Sequence, residues 1–164
     1  MKTLFSILLI GLFAFSLSAQ SVNNLRLKTV DNKRFEIKEY LDKGPVVIAF
    51  WATWCKPCRK ELPAIKEVYE KYKDQGLTIL AISIDSPRSL SKVKSFVKSS
   101  DLPYEFLIDP NGEQSTKLQV KDIPYTLLAN KSGEIVYTHR GYREGDEKEL
   151  DEKISELLNE SEKN

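Results

Sequence analysis

The chain has 164 residues, of which 41% are hydrophobic and 30% charged, the composition of a globular domain rather than of a disordered or fibrous chain. Lysine plus arginine number 25 against 24 aspartates and glutamates, so bulk charge provides no basic face for nucleic acid or an anionic membrane. The length suits about one domain, and no repeat is visible.

The first residues differ in kind from the rest. Met1-Lys2-Thr3 carries one positive charge, residues 4–15 are almost uninterruptedly apolar, and Ser16-Leu17-Ser18-Ala19 precedes Gln20. That order of charged, apolar and small residues predicts a secretory signal peptide over residues 1–19 and an exported, periplasmic domain over residues 20–164. The apolar run is shorter than the roughly 20 residues of a spanning helix, and an uncleaved membrane tether is the competing reading.

After Gln20, short mixed runs at residues 23–28 and 34–37 predict a hairpin around Val30-Asp31-Asn32-Lys33. Pro45 opens the continuous run Val46-Val47-Ile48-Ala49-Phe50-Trp51, as a strand buried on both faces reads. From Pro57 to about Gln75 the pattern turns helical, with Leu62, Ile65, Val68, Tyr69 and Tyr72 on one stripe, Pro63 inside it and Gly76 as its C-terminal cap. Residues 77–84 read as a second buried strand. The next helix carries Leu90, Val93, Phe96 and Val97, with Ser89 or Ser91 as its cap. Residues 104–108 predict a short strand, Asp109-Pro110-Asn111-Gly112 a turn, and residues 113–118 a brief helix. Residues 125–129 and 134–139 form an expected hairpin, and residues 147–159 a closing helix. The fold class is α/β, a central mixed sheet with helices on both faces.

Chemistry concentrates in Trp51-Ala52-Thr53-Trp54-Cys55-Lys56-Pro57-Cys58. The chain has two cysteines, three positions apart, and a disulfide in so short a loop stabilises little. A zinc site needs about four ligands, and beyond the two cysteines there is one distant histidine, His139. Reactivity is the remaining explanation. A buried strand here runs through a tight turn into a helix opened by Pro57, so Cys55 meets the helix N-terminus, where unpaired amides and the helix dipole favour a thiolate. Lys56 adds positive charge. Cys58, one turn on, is the covered partner that resolves a mixed disulfide left by an exposed Cys55.

These residues resemble the active site of the thioredoxin superfamily, and more closely its exported TlpA and ResA-like branch. The likeness extends over about residues 25–158, with a thioredoxin-like fold and a helical insertion between Asp85 and Tyr104. Pro63 falls where the family kinks its first helix. Ile123-Pro124-Tyr125-Thr126 resembles the cis-proline segment that faces the cysteines and pairs with substrate backbone; Ile123 and Pro124, together with Trp54, Lys56 and Pro57 of the motif, are the expected substrate contacts. Asn130-Lys131-Ser132-Gly133-Glu134 is similar to the turn of the last hairpin, and Gly141 to the glycine beyond it. The resemblance implies a monomeric thiol–disulfide oxidoreductase that uses no metal, nucleotide or flavin. Its partners would be protein thiols or disulfides and a membrane-embedded electron donor, with cytochrome c precursors among the substrates. A thioredoxin-fold docking or chaperone module and a peroxide-reducing enzyme are the rival readings.

One departure stands out. Cytosolic members carry a buried aspartate and a lysine where Ala49 and Ala81 stand, so another group must take the Cys58 proton. Asp85, just past the second strand, is the expected acceptor. Glu61 reads as a solvated helix residue, and His139 as an ordinary strand residue.

Overall fold

The computed structural model describes residues 20–161. The expected signal segment lies outside the described residues. Strands β1 (Arg26–Thr29) and β2 (Arg34–Glu36) pair antiparallel as the predicted hairpin, with Leu27 opposite Phe35. A single helical turn, α1 (Lys38–Leu41), follows and buries Leu41.

β3 (Val46–Trp51) is buried at every position. Alternate side chains point to opposite sheet faces. Val47, Ala49 and Trp51 therefore join one core, while Val46, Ile48 and Phe50 join the other. β4 (Thr78–Ser83) repeats this beside it in parallel, with Ala49 opposite Ala81. β5 (Glu105–Ile108) extends the parallel group. β6 (Tyr125–Ala129) and β7 (Ile135–Arg140) are antiparallel. Among the described residues the sheet has seven strands in the order β2-β1-β5-β4-β3-β6-β7.

One face is covered by α2 (Cys58–Tyr72), α3 (Leu90–Ser100) and α5 (Glu147–Ser161), which place Leu62, Ile65, Val93, Leu150 and Ile154 against the sheet. The other is covered by the N-terminal segment, α1 and the region of α4 (Glu113–Lys117), with Val22, Leu25, Ile37, Leu41 and Leu118 buried there. α4 starts on a carboxylate, as Asp109 accepts from the backbone N–H of Gln114 and of Ser115 at 2.8–3.2 Å. The helix predicted over 57–75 closes as a 3₁₀ turn at Lys73–Gln75 and ends on Gly76 at φ 88°. The predicted serine cap of α3 is absent: Ser89 occupies the cap position without a side-chain bond to the helix. A preceding 3₁₀ turn, Pro87–Ser89, already shapes the chain for α3, and its Ser89 N–H donates to the Ser86 carbonyl.

Candidate active site

The central strand β3 delivers the motif to the edge of the sheet. Trp51 at its end is fully buried and packs on Phe96 (4.6 Å) and edge-on to Phe106 (6.0 Å), anchoring the chain where it leaves the sheet. The next residues turn sharply, and Asp85 holds the turn. Its Oδ1 accepts from the Thr53 hydroxyl at 2.6 Å, and its Oδ2 accepts from the Thr53 N–H at 2.8 Å and from the Ser83 hydroxyl at 2.9 Å. Asp85 is 1% exposed.

A disulfide joins Cys55 and Cys58, with Cα atoms 5.3 Å apart. The Cys58 N–H donates to the Cys55 sulfur at 3.2 Å, so the first helical amide points at the expected nucleophile. Pro57 takes the cap position of α2, and the N–H groups of Lys60 and Glu61 bond to its carbonyl. Cys58 is fully buried as predicted. Cys55 corrects the expectation of an exposed attacker, since only 5% of it is open while its sulfur is bonded to Cys58. Exposure belongs instead to its neighbours: Lys56 and Pro57 are exposed, and Trp54 is 67% exposed.

The Ile123–Pro124 peptide bond is cis. Pro124 is buried at the start of β6, and its carbonyl accepts from Gly141 N–H at 2.8 Å. Trp54, Ile84, Val120 and Ile123 line a groove of about 290 Å³ beside the motif, with Lys121 and Asp122 at its rim. A larger hollow of about 560 Å³ lies away from the cysteines, against β1, β2 and the start of α4.

Glu61 overturns the reading of it as solvated. It is 4% exposed, and its Oε1 accepts from the Thr126 hydroxyl at 2.7 Å. Burial first of all pushes its carboxyl up from 4.5 to about 7; the Thr126 bond opposes the rise. The signal was present in the spacing. Cys58, Glu61, Leu62 and Ile65 fall on one stripe of α2, so Glu61 lies on the face turned to the sheet, one turn beyond Cys58. Its acidic type, rather than its position, suggested solvent. Ala49, opposite Thr126 in the sheet, contributes no polar group of its own. Among the described residues no group of three histidines, cysteines or acids is placed to hold a metal ion.

A buried strand, a CxxC disulfide at a helix start and a cis-proline segment together define a thiol–disulfide oxidoreductase of thioredoxin-like fold. The chain belongs to the AhpC/TSA family, which it matches over residues 19–138. Thiol-disulfide oxidoreductase ResA of Bacillus thuringiensis subsp. konkukian is 35% identical to it over 134 residues, which cover 82% of this chain and 75% of that protein. The solution structure of a thioredoxin-like protein from Porphyromonas gingivalis superimposes with a TM-score of 0.71 at 38% identity, covering 84% of this chain and 91% of that one. A DsbE-type thiol:disulfide interchange protein from Chlorobium tepidum reaches a TM-score of 0.77 at 24% identity, covering 85% and 96%, and shares the fold.

Proposed function

We propose that the protein is an exported reductant of protein disulfides, with Glu61 as the proton acceptor for Cys58. The observation that carries this reading is the buried carboxyl one helical turn beyond the buried cysteine. In the reduced protein the Cys55 thiolate attacks a substrate disulfide, forming a mixed disulfide and releasing one substrate thiolate. Cys58 then gives its proton to the Glu61 carboxylate, and its thiolate attacks the Cys55 sulfur. The Cys55–Cys58 disulfide forms, the second substrate sulfur leaves, and two electrons have passed to the substrate. A carboxyl that titrates near 7 is matched to taking and returning a proton at neutral pH.

Asp85 has a different part in this proposal. With three donors converging on it, it positions the turn that presents Cys55. Substrate docks in the groove beside the exposed Trp54 ring and Ile123, with Pro124, Lys56 and Pro57 as the further contacts that the branch resemblance suggests. The domain at 20–164 works outside the cytoplasm after residues 1–19 direct export. Since that compartment is oxidising, a membrane-embedded donor returns the electrons, and cytochrome c precursors are the substrate class the branch resemblance suggests. The resemblance also supports a monomer. Among the described residues no helix is long and apolar enough to cross a membrane.

The test has two parts. In an insulin-reduction assay Cys55→Ser abolishes turnover, and Cys58→Ser accumulates a mixed disulfide; turnover undiminished in Cys55→Ser removes the reading. Equilibration with glutathione then fixes the direction. A reductant has a potential below about −200 mV, whereas a value near −120 mV reassigns the protein as an oxidant.

A further inference from the structure

The sheet carries the row of Ala81, Ala49 and Thr126 one strand further, to His139. Directly opposed side chains on neighbouring antiparallel strands have Cβ atoms about 5 Å apart. Thr126 thus stands between Glu61, which its hydroxyl holds by Oε1, and the imidazole. The other carboxyl oxygen, Oε2, is buried without a hydrogen-bond partner. Glu61 and His139 both line a cavity of about 10 Å³ between α2, β7 and α5, at the lower limit for a single water.

The outer end of this row reaches solvent. The His139 side chain is 24% exposed, and its Nε2 lies 3.0 Å from Asp146 Oδ2. Asp146 is itself anchored by the Arg143 N–H at 2.7 Å, which holds its carboxyl below the usual range; the imidazole adds to that. An ionised Asp146 selects Nε2–H, leaving Nδ1 to bind or release a proton. Other titratable groups close the surroundings. Glu149 of α5 lies 3.9 Å from Nδ1, the Tyr137 ring of β7 stacks on the imidazole at 6.3 Å, and the Tyr142 hydroxyl is occupied by Glu147 at 2.9 Å. Burial pushes both phenols up, so they stay protonated through the neutral range.

We propose that His139, oriented by Asp146, is the outer station of a proton path that links Glu61 to solvent across this cavity. The inference rests on the Glu61 reading above. When Cys58 is deprotonated during resolution, its proton passes to Glu61 Oε2, then across the cavity to the imidazole, and from there to water. Reduction of the disulfide by the electron donor returns one proton along the same path. Only protons move, so no further oxidant or reductant is needed. His139 touches neither cysteine nor substrate and acts through Glu61 as a positioning and relay residue.

The measurement is the rate of mixed-disulfide resolution from pH 5 to 9 in the full protein and in His139→Gln, His139→Lys, Asp146→Asn and Glu61→Gln. His139→Gln slows resolution at pH 7 by about tenfold, less than the roughly 10²–10⁴-fold contribution of a direct acid or base. It also moves the acid limb to higher pH, because the His139 charge that lowers the Glu61 carboxyl is lost. His139→Lys keeps a positive charge that does not exchange near neutrality and leaves the rate low. Asp146→Asn, which keeps the imidazole but frees its orientation, also displaces the limb. A wild-type profile in both His139→Gln and Asp146→Asn, or full recovery in His139→Lys, overturns the relay. Glu61→Gln separates the two ideas. If it loses the limb while the His139 and Asp146 variants keep it, the relay alone fails. If it matches the wild type, the Glu61 reading fails and the relay with it.

Discussion

Asp85 and Glu61 are both buried carboxyls at the motif, yet they are held in different ways. Asp85 meets two hydroxyls and a backbone N–H, whereas Glu61 meets one hydroxyl and keeps one oxygen free. A side chain with every strong contact committed to the chain is suited to hold a turn; one with a free oxygen is suited to move a proton. Asp85→Asn puts an amide N–H₂ against donors, and leaving a buried partner unsatisfied costs about 1–3 kcal/mol. The expected result is a lower unfolding midpoint and slower disulfide exchange, with a pH–rate profile of unchanged shape. A displaced acid limb in this variant would return Asp85 to the role of proton acceptor.

At the scale of elements, the passage from α2 into β4 depends on two glycines meeting backbone to backbone. Gly76 ends the 3₁₀ turn at φ 88°, and a Cβ there would run into the Lys43 carbonyl oxygen. A Cβ on Gly44 would in turn come within 2.5 Å of the Gly76 carbonyl oxygen. This approach sets the height at which α2 returns the chain to the sheet beside β3, and therefore the registration of β4, whose far end leads to Asp85. Gly76→Ala combines positive-φ strain with a backbone clash, and each such strained residue costs about 1–3 kcal/mol. Chemical denaturation should show that loss with little change in the denaturant slope, and the exchange chemistry of folded molecules should survive.

On the scale of the whole molecule, the buried carboxyl makes stability depend on pH. The folded state binds the Glu61 proton more tightly than the unfolded chain does, so this contribution is complete below about pH 4.5 and is lost as pH rises towards about 7. A rise from 4.5 to about 7 corresponds to about 3 kcal/mol as an upper figure. Asp146 and Glu147 act in the opposite sense: hydrogen bonds from backbone N–H groups lower their carboxyls, so their contribution is present at neutral pH and lost in acid. Both are partly exposed, and solvent screening makes their effect small. Unfolding of the oxidised protein measured from pH 4 to 8 should therefore show a decline between pH 5 and 7 that Glu61→Gln removes. The amide retains the Thr126 bond while carrying no charge. An equal decline in the variant would place the titrating group elsewhere.

Much of the architecture was written in local patterns. The continuous apolar runs of β3 and β4, the stripe of α2, the Asp109-Pro110-Asn111-Gly112 turn and the β6–β7 hairpin each depend on periodicity or turn chemistry within one segment, so the sequence by itself determined them. It also determined the placement of Cys55 and Cys58 at a strand-to-helix turn. The partners of the buried carboxyls were decided elsewhere. Glu61 and Thr126 are 65 positions apart, Thr53 and Asp85 are 32 apart, and only the packing of α2 on the sheet and the alignment of β3 with β4 bring them together. His139 shows the same division. Its strand was legible, but its approach to Glu61 needed the β6–β7 register, and its bond to Asp146 needed the loop before α5 to fold back over β7. Burial is a property of assembled layers, and an acidic residue on an apolar stripe takes its protonation state from the layer that covers it.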